Sequence, residues 1–236
     1  MSNSYFDFKQ FRIMQDQCAM KVSTDACIQG AWTQLSAGNI HILDIGAGTG
    51  LLSLMLAQRH PQSMIDALEM DTAAAEQAAL NVTASPFAQQ ITVHATDART
   101  FAADHPYDLI ICNPPFFKNS LHGPQAARNQ ARHNISLQQE DLLALMNHHL
   151  SPQGTASILW PITESMQWQE LAARHGWVQQ QLLSFRDKDS ARISRTVGIY
   201  ARYGSPAPAQ LLSIKEPDGT YTAAFKALLQ PFYLHL

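Results

Sequence analysis

The stretch "ILDIGAGTGLLSLML", residues 42–56, places an apolar run before a turn with three glycines and a second apolar run after it. The first run is typical of a buried strand, and the second is typical of a buried helix. Glycines at positions 46, 48 and 50 permit a tight turn and let a ligand approach the backbone closely. Strand, glycine turn and helix together predict the first unit of a doubly wound α/β sheet.

The rest of the chain repeats this alternation between residues 39 and 203. Short apolar or β-branched segments predict strands at "IHILDI", "MIDALE", "ITVHAT", "DLIICN", "TASILW", "QLLSFR" and "TVGIYARY", with helices between most of them. Only the polar stretch "DKDSARISR" separates the last two, which is too short for a helical crossover. We therefore expect an α/β fold whose seven-stranded, mostly parallel sheet has helices on both faces and an antiparallel edge hairpin.

Composition narrows the class of protein. The 236 residues are 46% hydrophobic and 15% charged, which is typical of a globular enzyme. No apolar run approaches the roughly 20 residues of a membrane span, and the N-terminus lacks the apolar core of a secretion signal. The three cysteines form no C-x-x-C pair. We expect a soluble, cytoplasmic monomer with no metal, no disulfide and no membrane contact.

The glycine turn indicates which nucleotide it binds. A dinucleotide dehydrogenase uses G-x-G-x-x-G, whereas here the third glycine comes one residue earlier and Asp44 lies on the strand before the turn. This arrangement favours S-adenosylmethionine over NAD as the cofactor. An alternative is that the glycines only pack the helix on the strand.

Acidic residues follow the next two strands. Glu69 ends "MIDALE", where a carboxylate can accept hydrogen bonds from both ribose hydroxyls. Asp97 follows "ITVHAT", where it can accept from the adenine amino group while the Ala98 N–H donates to a ring nitrogen. An acid at a strand end can also simply cap a helix. Because the carboxyl ends of parallel strands share one edge, these residues and the glycine turn predict one site.

The fourth strand delivers "NPPFF", residues 113–117, to the same edge. Proline fixes its own φ, lacks a backbone donor and restricts the residue before it. The Asn113 side-chain oxygen and the Pro114 carbonyl can therefore accept the two hydrogens of a planar amino group, while Phe116 stacks on its ring. The alternative is that the prolines only end the strand and the phenylalanines fill the core.

With these motifs the chain resembles class I S-adenosylmethionine-dependent methyltransferases that carry an Asn-Pro-Pro-aromatic loop. Its N-terminal "FKQFRIMQDQCAMKVSTDACIQGAW" and C-terminal "YTAAFKALLQPFYLHL" are similar to the bacterial tRNA1(Val) (adenine-37-N6)-methyltransferase family. The resemblance runs from about residue 8 to the C-terminus. It implies a Rossmann-like fold, a tRNA substrate and methyl transfer to N6 of the adenosine beside the anticodon.

The resemblance also implies roles for single residues. The catalytic loop would comprise Asn113, Pro114, Pro115 and Phe116. The cofactor contacts would be Asp44, Gly46, Gly48, Glu69, Asp97, Ala98 and Asn113, together with Lys21, Thr24 and Asp25 from a segment that folds over the methionine end. Residues 1–37 would then form a cap over the cofactor site of a methyltransferase domain at 38–236.

The segment "FFKNSLHGPQAARNQARHN" after the loop carries several cations and no acid. A long connection of this kind often closes over a substrate, and we expect Lys118, Arg128, Arg132 and His133 to contact RNA. A solvated helical face is the alternative. A second basic set, at residues 186–195, is interrupted by Asp187 and Asp189, which weakens it.

The residues alone do not exclude several other functions. Methylation of N2 of guanine would require the same loop to position a planar amino group. Methylation of glutamine N5 in a protein would require the same. An NAD-dependent oxidoreductase would need G-x-G-x-x-G and a proton donor such as Tyr-x-x-x-Lys. A noncatalytic RNA-binding module would not need Asn113 and both prolines beside a cofactor turn.

Overall fold

The structure is a computed structural model that describes residues 3–35, 40–114 and 137–236. In these ranges the strands are β1 Tyr5–Asp7, β2 Arg12–Met14, β3 Ile40–Ile45, β4 Ser63–Glu69, β5 Ile91–Ala95, β6 Tyr107–Cys112, β7 Leu150–Pro161, β8 Val178–Lys188, β9 Arg195–Ala201 and β10 Gln210–Lys215. The helices are α1 Thr24–Trp32, α2 Leu51–Arg59, α3 Thr72–Thr83, α4 Gln139–His149, α5 Ile162–Arg174 and α6 Ala223–Leu229, with a 3₁₀ turn at Ala98–Thr100.

The central sheet has eight strands in the order β10-β8-β9-β7-β6-β3-β4-β5. Strands β7, β6, β3, β4 and β5 run parallel, while β9 is antiparallel to both β7 and β8. This confirms the predicted α/β fold with its mostly parallel sheet and antiparallel pair. Because β3 to β6 are parallel, their carboxyl ends meet at one edge, and this edge positions the site described below.

The sheet has one strand more than the seven expected. Strand β10 pairs parallel to β8 and becomes the outermost strand, so the β8–β9 pair lies one place inside the edge. The stretch "YGSPAPAQ", whose last residue begins β10, has the composition of a loop, so the sequence did not predict this strand. Leu212 and Ile214 face the core while Leu211 is exposed, which is the alternation of a strand with one covered face.

Each face of the sheet carries its own hydrophobic cluster. One cluster joins α1, α2, α3 and α6 to the sheet, and the other joins α4 and α5 to it. Leu43 and Ile42 show the consequence for one strand: both are fully buried, although they point to opposite faces. Burial on both faces explains the continuous apolar runs in the strand sequences.

The two ends of the chain pack together. Phe8 forms an isolated bridge with Tyr233, and the Phe6 ring lies 5.6 Å from that of Tyr233. These contacts hold the β1–β2 hairpin against the segment that follows α6. In the ranges that the structure describes, no helix is long and apolar enough to cross a membrane.

Candidate active site

The glycine turn between β3 and α2 needs glycine for its backbone. Gly46, Gly48 and Gly50 have φ values of 74°, 55° and 79°, in the left-handed region that other residues rarely adopt. A Cβ built at Gly46 or Gly48 would meet no atom within 4 Å. The turn thus presents bare backbone to open space, as a cradle for a ligand requires.

Glu69 ends β4 beside this turn. Its Oε2 accepts a hydrogen bond from the Gly48 N–H at 2.9 Å, and its Oε1 accepts one from the Asp71 N–H at 2.9 Å. Each carboxylate oxygen can accept a further hydrogen bond. Glu69 therefore fixes the turn and still offers two acceptors side by side, as ribose hydroxyls require.

Asp97 and Ala98 follow β5. The Asp97 carboxylate accepts hydrogen bonds from the Arg99 guanidinium, the shortest at 2.6 Å, and from the Arg99 backbone N–H at 2.9 Å. These hydrogen bonds lower the pKa of Asp97. The carboxylate is thus held ionised and oriented at the strand end, where it can accept from an amino group.

Asn113 directly follows β6, whose last residue is Cys112. Its side-chain oxygen, Oδ1, is buried and has no hydrogen-bond partner in the described part of the chain. Buried polar atoms in proteins are nearly always paired, so this acceptor is available to a donor from outside the described residues. A substrate amine that enters the cleft would supply that donor.

One cleft of about 530 Å³ joins these features at the carboxyl ends of β3 to β6. Seven residues that the sequence predicted line it: Gly46, Gly48, Glu69, Asp97, Ala98, Asn113 and Pro114. Pro115 and Phe116 of the predicted catalytic loop lie outside the described residues, as do Lys118, Arg128, Arg132 and His133. The described residues contain no cluster of His, Cys, Asp or Glu suited to a metal ion.

Three predicted cofactor contacts from the N-terminal segment do not line this cleft. The Lys21 ammonium donates to the Asn3 carbonyl at 3.2 Å, Thr24 begins α1, and Asp25 pairs with Arg195 at 3.4 Å. Residues 16–20 line the cleft in their place. The N-terminal segment does reach the site, but it does so a few residues earlier than expected.

Two buried amides on α3 hold the N-terminal segment there. Asn81 accepts from the Met14 N–H and donates to the Met14 carbonyl, both at 2.9 Å, and it also donates to the Thr49 carbonyl in the glycine turn. Gln77 accepts from the Gln17 N–H at 2.9 Å. The sequence signal for these residues was a pair of amides four positions apart on an otherwise apolar helix face.

Asp44 lies beneath the cleft, fully buried, and is not among its lining residues. Its Oδ2 accepts from the Ser53 N–H at 3.1 Å and from the Ser53 hydroxyl at 2.6 Å. Its Oδ1 has no partner within the described ranges. Burial raises the pKa of the Asp44 carboxyl to about 6, and the two Ser53 hydrogen bonds limit the rise.

Asp44→Asn should therefore stabilise the ligand-free protein at pH 7.5, by up to about 3 kcal/mol. Because the pKa of Asp44 is higher in the folded chain than in the unfolded chain, wild-type stability falls as the pH rises from about 4 to about 6. Asparagine cannot ionise, so the gain should shrink toward zero near pH 4. Urea unfolding of both proteins at pH 4.5 and 7.5 measures this difference; an equal difference at both values would contradict the assignment.

Comparison with known proteins gives close relatives over the full length. Residues 31–159 match the family model described as Methyltransferase small domain. A tRNA1(Val) (adenine(37)-N6)-methyltransferase from Dyadobacter fermentans is 43% identical over 236 residues, covering 98% of each chain. A protein of the same name from Tolumonas auensis is 42% identical, covering 100% of this chain and 99% of the relative.

Solved structures of lower identity share the fold. A protein described as a predicted O-methyltransferase from Agrobacterium tumefaciens has a TM-score of 0.67 at 16% identity, covering 88% of this chain and 96% of that one. A glycopeptide N-methyltransferase complexed with S-adenosylmethionine has a TM-score of 0.56 at 13% identity, covering 79% and 97%. The full-length relatives confirm the resemblance seen in the sequence, and the chain belongs to the tRNA1(Val) (adenine(37)-N6)-methyltransferase family.

Proposed function

We propose that this protein transfers a methyl group from S-adenosylmethionine to N6 of adenosine 37 in tRNA1(Val). The observation that carries the proposal is the position of Asn113 Oδ1, a buried acceptor with no partner among the described residues, in the same cleft as the glycine turn. The names of the full-length relatives support the choice of tRNA and of nucleotide.

The residues of the cleft fit the cofactor. Gly46 and Gly48 offer open backbone, Glu69 offers paired acceptors for the ribose, and Asp97 with Ala98 offers an acceptor and a donor for adenine. When bound, S-adenosylmethionine supplies an electrophilic methyl group on a sulfonium. Residues 16–20 close the cleft from the N-terminal side.

The role of the loop is to position the amine. Asn113 Oδ1 and the Pro114 carbonyl accept the two hydrogens of the adenine amino group, which directs the nitrogen lone pair toward the methyl group. Both oxygens also stabilise the positive charge that develops on the nitrogen during transfer. In the proposal, Pro115 stiffens the loop and Phe116 stacks on the adenine. The transfer breaks the methyl–sulfur bond and leaves a neutral thioether, and the methylated amine passes its extra proton to water, so no strong base is needed.

Adenosine 37 must turn out of its stack to reach the cleft. Flipping a nucleotide costs a few kcal/mol, and less when the base lies in a single-stranded loop. The anticodon loop is such a substrate, and the cationic segment after the catalytic loop provides phosphate contacts in the proposal.

The RNA contacts are proposed at Lys118, Arg128, Arg132 and His133. The basic set at residues 186–195 is less suited, since two of its cations, Arg186 and Arg195, already have acidic partners. Arg186 pairs with Asp189 at 2.8 Å, and Lys215 on the adjacent β10 pairs with Asp187 at 3.0 Å. A phosphate would have to displace these aspartates.

Replacing Arg128 and Arg132 together with alanine should weaken tRNA binding and reduce its salt dependence. If each arginine contacts one phosphate, the slope of log Kd against log salt should fall by about 1.4 to 1.8. The matched control is Arg186→Ala with Lys215→Ala, for which we expect a small change because aspartates already neutralise both cations. Filter binding between 50 and 200 mM salt compares them, and a slope equal to the wild-type value in the Arg128, Arg132 variant would refute these contacts.

A nucleoside assay tests the proposed function. The protein is incubated with labelled S-adenosylmethionine and bulk tRNA from a strain that lacks its own enzyme, and the RNA is then digested to nucleosides. We expect the label in N6-methyladenosine. Label in N2-methylguanosine would identify the guanine alternative, and label in protein would identify the glutamine alternative. No transfer at all would contradict the proposed function.

We also propose that residues 1–37 act as a cap over the cofactor site and that the protein works as a cytoplasmic monomer. The lining of the cleft by residues 16–20 supports the cap. Sedimentation at enzyme concentrations used for turnover tests the oligomeric state.

A further inference from the structure

A buried polar network connects α1 to the strands that end at the cleft. Gln29 on α1 is fully buried, and its Nε2 donates to the Cys112 carbonyl and to the Ser157 carbonyl, both at 3.0 Å. Directly after the end of α1, the Thr33 hydroxyl lies 2.7 Å from the Ser157 hydroxyl.

The two carbonyls belong to neighbouring strands, and that of Cys112 lies where the chain leaves β6. Cys112 is the last residue of β6 and pairs with Ile158 of β7, and Asn113 follows it directly. A single amide group thus spans β6 and β7 one peptide before Asn113. The prolines after Asn113 make the loop stiff, but a stiff loop positions an amine only if its base is fixed.

Packing alone does not account for a glutamine here. Its Oε1 has no hydrogen-bond partner among the described residues, and leaving a buried acceptor unpaired costs stability. A methionine would fill similar space without that cost. The benefit of the glutamine lies in its two donors, which fix the two carbonyls.

We propose that Gln29 is a positioning residue for methyl transfer. It fixes the backbone at Cys112 and thereby sets the place of Asn113 Oδ1 relative to the glycine turn. The same helix follows residues 16–20, which line the cleft, so α1 joins the cofactor side of the site to the catalytic loop. This inference rests on the proposed function for its kinetic consequence, but its structural consequence for Asn113 does not.

The kinetic test is Gln29→Met, which keeps the length of the side chain and removes both donors. We expect kcat on tRNA to fall roughly 10- to 100-fold because a displacement of about 1 Å can have such an effect, while the Kd for S-adenosylmethionine changes little. The control is Thr33→Val, which removes a buried hydrogen bond of the same network but leaves the Gln29–Cys112 bond in place. It should keep kcat near the wild-type value.

A spectroscopic test separates positioning from loss of stability. With ¹⁵N-labelled asparagine, the side-chain amide signal of Asn113 is assigned by its loss in Asn113→Asp. We expect this signal to shift in Gln29→Met and to stay in place in Thr33→Val. If Gln29→Met does not fold, Gln29→Leu replaces it, since leucine also lacks donors, occupies less space and should still lower kcat.

Unchanged kcat together with an unmoved Asn113 signal would overturn the positioning role, and so would equal losses of kcat in Gln29→Met and Thr33→Val. A wild-type protein that methylates no tRNA adenosine would instead overturn the proposed function. The Asn113 signal would then still decide whether Gln29 positions that side chain.

Discussion

Asn113→Ala is expected to lower kcat by about 100- to 1,000-fold while raising the Kd for S-adenosylmethionine far less, because Asn113 is only one of several predicted cofactor contacts. The variant removes the buried acceptor, Oδ1, that has no partner among the described residues. Without it, one hydrogen of the substrate amine loses its acceptor and the charge that develops on the nitrogen loses a stabilising dipole. The glycine turn, Glu69 and Asp97 are untouched, so cofactor binding should persist.

Single-turnover kinetics and isothermal titration calorimetry measure these two quantities separately. A matched control is Asn147→Ala, because the Asn147 side-chain oxygen accepts from Trp177 Nε1 at 3.0 Å, away from the cleft. That variant should lose some stability and keep its kcat. If Asn113→Ala retains turnover, the assigned role of the loop is wrong.

Glu69→Gln is expected to weaken cofactor binding by roughly 10- to 100-fold. The wild-type carboxylate accepts hydrogen bonds on both oxygens, from the Gly48 and Asp71 N–H groups. A glutamine amide has one oxygen only, so one backbone donor would face an NH₂ group and one ribose acceptor would be lost. At saturating cofactor, kcat should change less than the Kd does.

The control for Glu69→Gln is Asp71→Asn. Asp71 also lines the cleft, and its side chain caps α3 by accepting from the Ala74 N–H at 2.9 Å. Asparagine caps helices about as well as aspartate, so this variant removes a charge near the cleft and keeps the cap of α3. Calorimetry with both proteins distinguishes the two effects. Equal losses of affinity would mean that Glu69 acts only through its charge.

The parts of the cleft lining that depend on local pattern could be predicted from the sequence. Gly48, Glu69 and Asp97 each follow a recognisable strand, and parallel strands bring their carboxyl ends to one edge. The backbone conformations of the turn glycines and of Pro114 were predictable from residue type, because glycine permits a positive φ and proline fixes its own φ.

The missed parts depend on contacts between distant segments. Asn81 bonds Met14 across 67 positions, and Gln29 bonds Cys112 across 83 positions. Nothing in the local pattern of α3 or α1 specifies those partners, because buried amides on a helix have many possible acceptors. The position of the N-terminal segment over the cleft follows from these bonds. Residues 16–20 line the cleft, whereas Lys21, Thr24 and Asp25 do not, and the contact of these three with a cofactor stays a prediction.

Strand β10 was missed for a related reason. Its residues bury one face only, and its pairing with β8 depends on the position of β9 between β7 and β8. A proline-rich segment before a short strand predicts a loop when the pairing partner of the strand is not known.

The most direct test of the central claim uses two tRNA1(Val) transcripts that differ only at position 37. One carries adenosine, and the other carries purine riboside, which lacks the exocyclic amine. With labelled S-adenosylmethionine, wild-type protein should label the adenosine transcript, with the label in N6-methyladenosine at position 37, and should leave the purine riboside transcript unlabelled. Equal labelling of both transcripts would contradict the claim that Asn113 and Pro114 present the N6 amine of adenosine 37 for methylation.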